Sequence, residues 1–300
     1  MADYSKLLSA AVEAVASACA ICRIVQKNME QVRAIVKDDN SPVTVADYAC
    51  QAVVAHVLSQ HLGSIVLVGE ETSAYLRNHE HSAQLAATLA AAQEAWQDAN
   101  EDSLLSAIDV GAADTNATGF WTLDPIDGTK GFLRRQQYAV SLAYIERGEP
   151  VVGLLGCPNL SSNFTASFDE PDRHGCLYTC IRGQGVYELP ADHVRTKPVK
   201  IARLPHRDAD AISVCMSVEE SHTSSERVAA VLALAATKGL KTREPARLDS
   251  QAKYAVVARG QADAYIRLPT RKGYVERIWD HAAGALIAAE AGCAVTDALG

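Results

Sequence analysis

No run of about 20 apolar residues interrupts the chain, so no membrane span is expected. The opening Met1-Ala2-Asp3-Tyr4-Ser5 lacks a basic segment leading into an apolar stretch, so no secretory leader is expected and the reading is cytoplasmic. In that compartment the eight cysteines read as reduced thiols inside apolar segments. Cys19 and Cys22 have C-x-x-C spacing but no second ligand pair, which argues against a zinc or redox site there. There is no surplus of positive charge either. The net charge is −8 with no long basic run, which argues against nucleic-acid binding and leaves room for a local pocket for a small anion. A P-loop, an EF-hand loop and an internal repeat are all missing.

What remains is a chain with 48% hydrophobic residues, enough for a full core. Leu7, Leu8, Ala11, Val12, Val15, Cys19, Cys22 and Val25 recur at helical spacing, predicting a helix over 4–28. Thr44 as N-cap, with Asp47 three residues on, opens a second helix that stops at Gly63. Residues 64–68 predict a buried strand ending in Gly69-Glu70-Glu71. Residues 72–118, helical but irregular, Ala-rich and polar towards their end, read as a solvent-facing insertion carrying a helix and a flexible tip. Strands are expected over 138–145, 151–156, 176–181 and 185–189, with 190–211 as a linker. Beyond it strands over 212–218 and 264–268 alternate with helices: one capped by Thr223 or Ser224, one over 250–258, and one over 282–291 capped by Asp280. Helices and hairpins are segregated in the first half (α+β) and alternate in the second (α/β).

The stretch from 120 to 132 reads F-W-T-L-D-P-I-D-G-T-K-G-F. A short apolar strand delivers Asp124 and Asp127 to its end, where Pro125 is expected to stop the ladder and Gly128 to allow a sharp turn. Two carboxylates held so close repel each other unless a cation intervenes, and oxygen ligands suit Mg²⁺ or Ca²⁺. Thr129 and Lys130 follow, where a helix N-terminus could meet phosphate. Pro, Asp and Gly are also what surface turns are made of, so this stretch alone leaves both readings open. A second strand ending in acids, at Glu70, weighs towards a metal-dependent phosphatase site.

Taken together, G-E-E, D-P-I-D-G-T and W-D-H-A-A-G resemble the lithium-sensitive, magnesium-dependent phosphomonoesterases of the inositol monophosphatase superfamily. D-G-T-K-G-F at 127–132, V-T-V-A-D-Y at 43–48, G-C-P-N-L at 156–160, D-S-Q-A-K-Y at 249–254 and Y-I-R-L-P at 265–269 resemble its 3′(2′),5′-bisphosphate nucleotidase branch. Those enzymes convert 3′-phosphoadenosine 5′-phosphate (PAP) to AMP, and many accept the sulfated form, PAPS. The resemblance spans nearly the whole chain and is weakest over 72–118.

It implies a layered αβαβα sandwich of the sugar-phosphatase type, with residues 1–190 carrying the metal loops and 191–300 completing the site. It implies two or three Mg²⁺ ions held by Glu70, Asp124, Asp127, Asp280 and the carbonyl of Ile126, with inhibition by lithium. Asp47 and Thr129 would orient and deprotonate the attacking water. Thr129, His222, Ser250, Lys253, Arg267 and Asp280 would hold a small-molecule nucleotide, with a monomer as the assembly. The residue types suit this chemistry: a hydroxyl can relay a proton to a carboxylate, and Lys with Arg suits a second phosphate. Structural readings of the same residues are a helix cap for His222 and solvated charges for Lys253 and Arg267. The rival functions are hydrolysis of inositol phosphates, including inositol 1,4-bisphosphate, and a catalytically silent PAP sensor.

Overall fold

The computed structural model describes residues 3–29, 45–205, 211–218, 225–268 and 275–297. Helix α1 (Tyr4–Lys27) starts where the Asp3 carboxylate accepts hydrogen bonds from the N–H groups of Ser5 and Lys6. Ten of its side chains are buried. It is long and apolar enough to cross a membrane, contrary to the sequence reading, but here its apolar face is spent on the core. Helix α2 (Val45–Leu62) is buried over every residue from Val45 to Ala55, and ends at Gly63 with φ +79°. The proposed cap Thr44 lies outside the described residues, as do Thr223 and Ser224.

Segment 72–118 is not the solvent-facing excursion expected. After a 3₁₀ turn (His79–His81) it forms α3 (Ser82–Gln93) and α4 (Glu101–Asp109), both packed on α2. Asn100 and Ser103 cap α4 reciprocally, and Leu76, Ala92, Trp96, Leu104 and Ile108 are buried in the main core. The Ala-rich composition hid a face made of few large side chains.

One seven-stranded sheet runs in the order β1 (Leu67–Gly69), β2 (Gly119–Asp127), β3 (Ala139–Glu146), β4 (Glu149–Cys157), β5 (Cys176–Ile181), β6 (Val186–Pro190) and β7 (Val199–Lys200). Only the β1–β2 pair is parallel. Strand β1 starts later than the expected residue 64 and includes Gly69. The β3–β4 turn places Arg147 and Gly148 at φ 54° and 83°, the left-handed pair that suits a two-residue hairpin. After β8 (Ala211–Ile212), β9 (Val214–Met216) and α6 (Ser225–Thr237) come β10 (Lys241–Thr242), β11 (Ala246–Arg247), α7 (Ala252–Ala258), β12 (Ala264–Tyr265) and α8 (Ala282–Glu290). The strand expected over 212–218 is thus two short ones, in separate sheets of order β10-β8 and β11-β9-β12.

Among the described residues, three cores make five layers, α, β, α, β and α. The first joins α1 and α2 to one face of the large sheet, through Val15, Ile21, Trp121, Leu142 and Leu154. The second joins the opposite face to α7 and α8, through Phe120, Ala143, Tyr178, Val256 and Ile287. Strand alternation then divides β9: Cys215 faces α7, while Val214 and Met216 pack with Val228 of α6. This is the layered αβαβα arrangement.

Close approach of α7 and α8 requires a glycine. A Cβ on Gly284 would lie 2.1 Å from the Tyr254 ring, which cannot easily retreat because its hydroxyl is 2.8 Å from Nδ1 of His281. We expect Gly284→Ala to cost about 1–3 kcal/mol. A thermal melt checks this, and an unchanged midpoint would contradict the packing.

Candidate active site

The acids converge because β2 does not end at Pro125. The strand continues to Asp127, with pairing shifted so that Asp124 faces Ser141 and Asp127 faces Ala139. Residues three apart on a regular strand point to opposite faces, but the extra residue of this bulge brings both carboxylates to one side. A bulge also tolerates the missing N–H of Pro125. Ile126 takes the other face, its side chain buried with the α1–α2 core. Its carbonyl accepts the Thr129 hydroxyl at 3.2 Å, at the start of the short helix α5 (Thr129–Leu133). Gly128 supplies the left-handed turn (φ +86°), and a Cβ there would lie 2.8 Å from that of Ser250.

Glu70 follows β1 directly, beside β2. Its loop is held by Gln51 of α2, whose amide accepts from the Glu71 N–H at 3.0 Å and donates to the carbonyls of Glu71 (2.6 Å) and Ile108 (2.9 Å). Asp47 is buried in the first turn of α2, and its charge acts on Asp124. Asp280 closes a 3₁₀ turn (Ile278–Asp280) and accepts the Arg277 N–H at 2.7 Å. It does not cap α8 as expected; the N-cap position is His281, which makes no side-chain capping bond.

Electrostatics shows that these carboxyls share one space. Burial, then the charges of Glu70, Asp127, Asp280 and Asp47, holds Asp124 well above the usual carboxylate range. Desolvation of the carboxyl by its neighbours raises Glu70 to about 7 although the residue as a whole is exposed, with Asp127 and Asp280 adding to the shift and a hydrogen bond from Asp124 opposing it. Burial and the nearby Asp127 raise Asp280 to about 6. Glu71, which the sequence reading left out, is buried and is pushed up to about 7 by that burial and by Glu70.

Among the described residues, Oδ1 of Asp124 is buried with no hydrogen-bond partner. Burying an unpartnered carboxylate oxygen among like charges is costly. An all-oxygen set of this kind fits a hard divalent cation. With raised pKa values, ionising Glu70 and Asp280 costs the metal-free fold stability. The destabilisation from these two groups is therefore absent below the ordinary carboxylate pKa of about 4.3 and grows as pH rises to about 7. We expect the melting midpoint in chelator to fall between pH 5 and 8, on the order of 5 °C. Mg²⁺ should raise the midpoint more at pH 8 than at pH 5. Calorimetry that shows equal stabilisation at both pH values would contradict this.

The opposite wall comes from the second half. The N–H of Gln251 donates to Asp127, and its side-chain amide donates to the Trp279 carbonyl at 2.9 Å and accepts the Gly284 N–H at 3.3 Å. Ser250, at φ +70°, accepts the Ala252 N–H at 3.1 Å just ahead of α7, whose N-cap position is Gln251. Lys253 is no solvated charge: it is 2% exposed, with Nζ 3.3 Å from the Leu248 carbonyl and 5.2 Å from the Tyr265 ring centre. Burial lowers its pKa, and the charge of Asp127 opposes that shift. Arg267 is also engaged, with Nε and an Nη both 2.8 Å from Glu276. Nε2 of His281 lies 3.5 Å from the same carboxylate. His222 lies outside the described residues.

Residues 3–300 match the inositol monophosphatase family. The chain belongs to that family. It is 41% identical over 304 residues to 3′(2′),5′-bisphosphate nucleotidase 1 of Arabidopsis thaliana, covering 96% of this chain and 84% of that protein. The 3′(2′),5′-bisphosphate nucleotidase of Schizosaccharomyces pombe is 38% identical over 288 residues, 91% of this chain and 78% of that protein. Among solved structures, CysQ of Bacteroides thetaiotaomicron superimposes with a TM-score of 0.59 at 20% identity, covering 95% of this chain and 86% of the other. Mycobacterium tuberculosis SuhB gives 0.57 at 20% identity, covering 99% and 88%. The inositol monophosphatase family is generally metal-dependent, in keeping with the oxygen-rich cleft.

Proposed function

We propose that this chain is a 3′(2′),5′-bisphosphate nucleotidase that hydrolyses the 3′-phosphate of PAP to give AMP and inorganic phosphate. The observation that carries the reading is Asp127, which acts on the clustered carboxyls, accepts the N–H of Gln251 from the second half and acts on the buried cation Lys253 beside it. A phosphate monoester needs the carboxyl cluster, and a substrate with a second phosphate needs the cation.

Glu70, Asp124, Asp127, Asp280 and the Ile126 carbonyl would hold Mg²⁺, two or three ions in all. When bound, these ions lower the pKa of water and neutralise charge on the phosphoryl oxygens. Asp47 would take the proton that the Thr129 hydroxyl relays once that hydroxyl turns from the Ile126 carbonyl, which it meets at 3.2 Å, and leaves the carbonyl to the metal. Lys253 supplies a point charge, and Arg267, whose Nε and one Nη are taken by Glu276, a fixed guanidinium with its remaining edge for the second phosphate. Ser250 and His222 complete the nucleotide side. On this reading residues 1–190 bring most of the acids, and 191–300 bring Asp280 and the cations.

Product analysis tests it. PAP, PAPS, inositol 1,4-bisphosphate and inositol 1-phosphate are incubated in parallel with Mg²⁺, with and without lithium. The reading expects AMP from PAP, slowed by lithium, and slower release from the inositol esters. Preference for an inositol ester would overturn the substrate, and tight PAP binding without phosphate release would overturn the activity.

A further inference from the structure

A second group of metal-type donors stands on the surface where β5 begins and β6 ends. His174 precedes β5, and Asp192 and His193 follow β6. Those strands pair Cys176 with Pro190, so the register itself brings the three side chains together. The Asp192 carboxylate is 2.9 Å from Nδ1 of His174 and 2.6 Å from Nδ1 of His193. One ligand atom from each residue lies within 4.8 Å of the others.

The backbone beneath them is tied down. Asp172 accepts the N–H groups of His174 and Gly175, both at 2.8 Å. The guanidinium of Arg23 grips the carbonyls of Pro158, Asp172 and Arg173, anchoring that turn to α1. The N–H of Ala191 reaches the Gly175 carbonyl at 3.2 Å and that of His193 reaches Pro190 at 3.3 Å.

We propose that His174, Asp192 and His193 bind one divalent transition-metal ion of the Zn²⁺ class, at a site separate from the acid cleft. Two imidazole nitrogens and one carboxylate suit Zn²⁺, Co²⁺, Ni²⁺ or Cu²⁺ and do not suit Mg²⁺, which prefers oxygen. Bonds of 2.0–2.1 Å in a tetrahedron set ligand atoms roughly 3.3 Å apart. Against that edge the two contacts to Asp192, at 2.9 and 2.6 Å, open by roughly 0.4 and 0.7 Å as the ion replaces the shared protons, the two imidazoles start within 4.8 Å of each other, and all three side chains are exposed enough to adjust. Three protein ligands leave a fourth position for water. By register the cluster lies at the same end of the sheet as Asp127, but three to four strands away, roughly 15–20 Å at the usual spacing. Binding there clips the open end of the β5–β6 hairpin and leaves the cleft to its own ions.

The test is calorimetric titration of the full chain with Zn²⁺ in excess Mg²⁺, for wild type, the double variant His174→Ala/His193→Ala, and Asp127→Asn. We expect one Zn²⁺ per chain in the micromolar range, weakened at least about tenfold in the double variant and retained in Asp127→Asn. The double variant should keep its phosphate release in Mg²⁺ and its melting midpoint in chelator, which shows that it is folded. Equal Zn²⁺ affinity in the double variant would overturn the site. So would loss of binding in Asp127→Asn alone, or no binding by wild type up to about 100 µM.

Discussion

Asp127→Asn lowers phosphate release from PAP by on the order of 10³ or more, about 4 kcal/mol of transition-state stabilisation, while the protein stays folded. Asp127 is the charge that the rest of the cleft responds to: it acts on Glu70, Asp124, Asp280 and Lys253. The asparagine oxygen can still accept the N–H of Gln251, so the contact between the two halves of the site survives. Removing one of several clustered negative charges also relieves Glu70 and Asp280, so the metal-free variant should melt no lower than wild type at pH 8. Steady-state kinetics beside a thermal melt reads both parts. A folded variant with near-normal kcat would contradict the role given to this carboxylate.

Lys253→Met lowers kcat/KM for PAP by on the order of 10² while changing turnover of a nucleoside 3′-monophosphate by only a few-fold. The side chain is 2% exposed, and among the described residues its hydrogen bond is to the Leu248 carbonyl. A buried ammonium with donors to spare carries a desolvation cost that a phosphate ligand can offset. If Lys253 were only a core residue, methionine of similar length would leave both substrates alike and the fold as stable or more so. Comparing the two substrates separates these outcomes. Equal loss on both would remove Lys253 from recognition of the second phosphate.

The residues that make the cleft were readable because their spacing is chemical: acids after Gly69, acids around Pro125-Ile126, and Asp280 among small residues. The reason they converge was not readable. Pro125 looked like the end of a strand, whereas the pairing shift carries β2 to Asp127 and turns both acids to one face. Gln51 sits in an apolar helical run, and the only signal was a polar residue where the core wants none. Glu276 was passed over because a single acid nine residues beyond Arg267 has no periodic mark, yet it holds that guanidinium with two contacts. Asp280 has the composition of a helix cap, but its carboxylate turns back to the Arg277 N–H. The helical character of 72–118 was readable but its burial was not, because alanine buries well without large apolar side chains to mark the face.

The most direct measurement is inorganic phosphate release from PAP by the purified chain, in Mg²⁺ and in chelator. Release should be sustained in Mg²⁺, stop in chelator and slow with lithium. Folded protein that binds Mg²⁺ yet releases no phosphate from PAP would contradict the proposed activity.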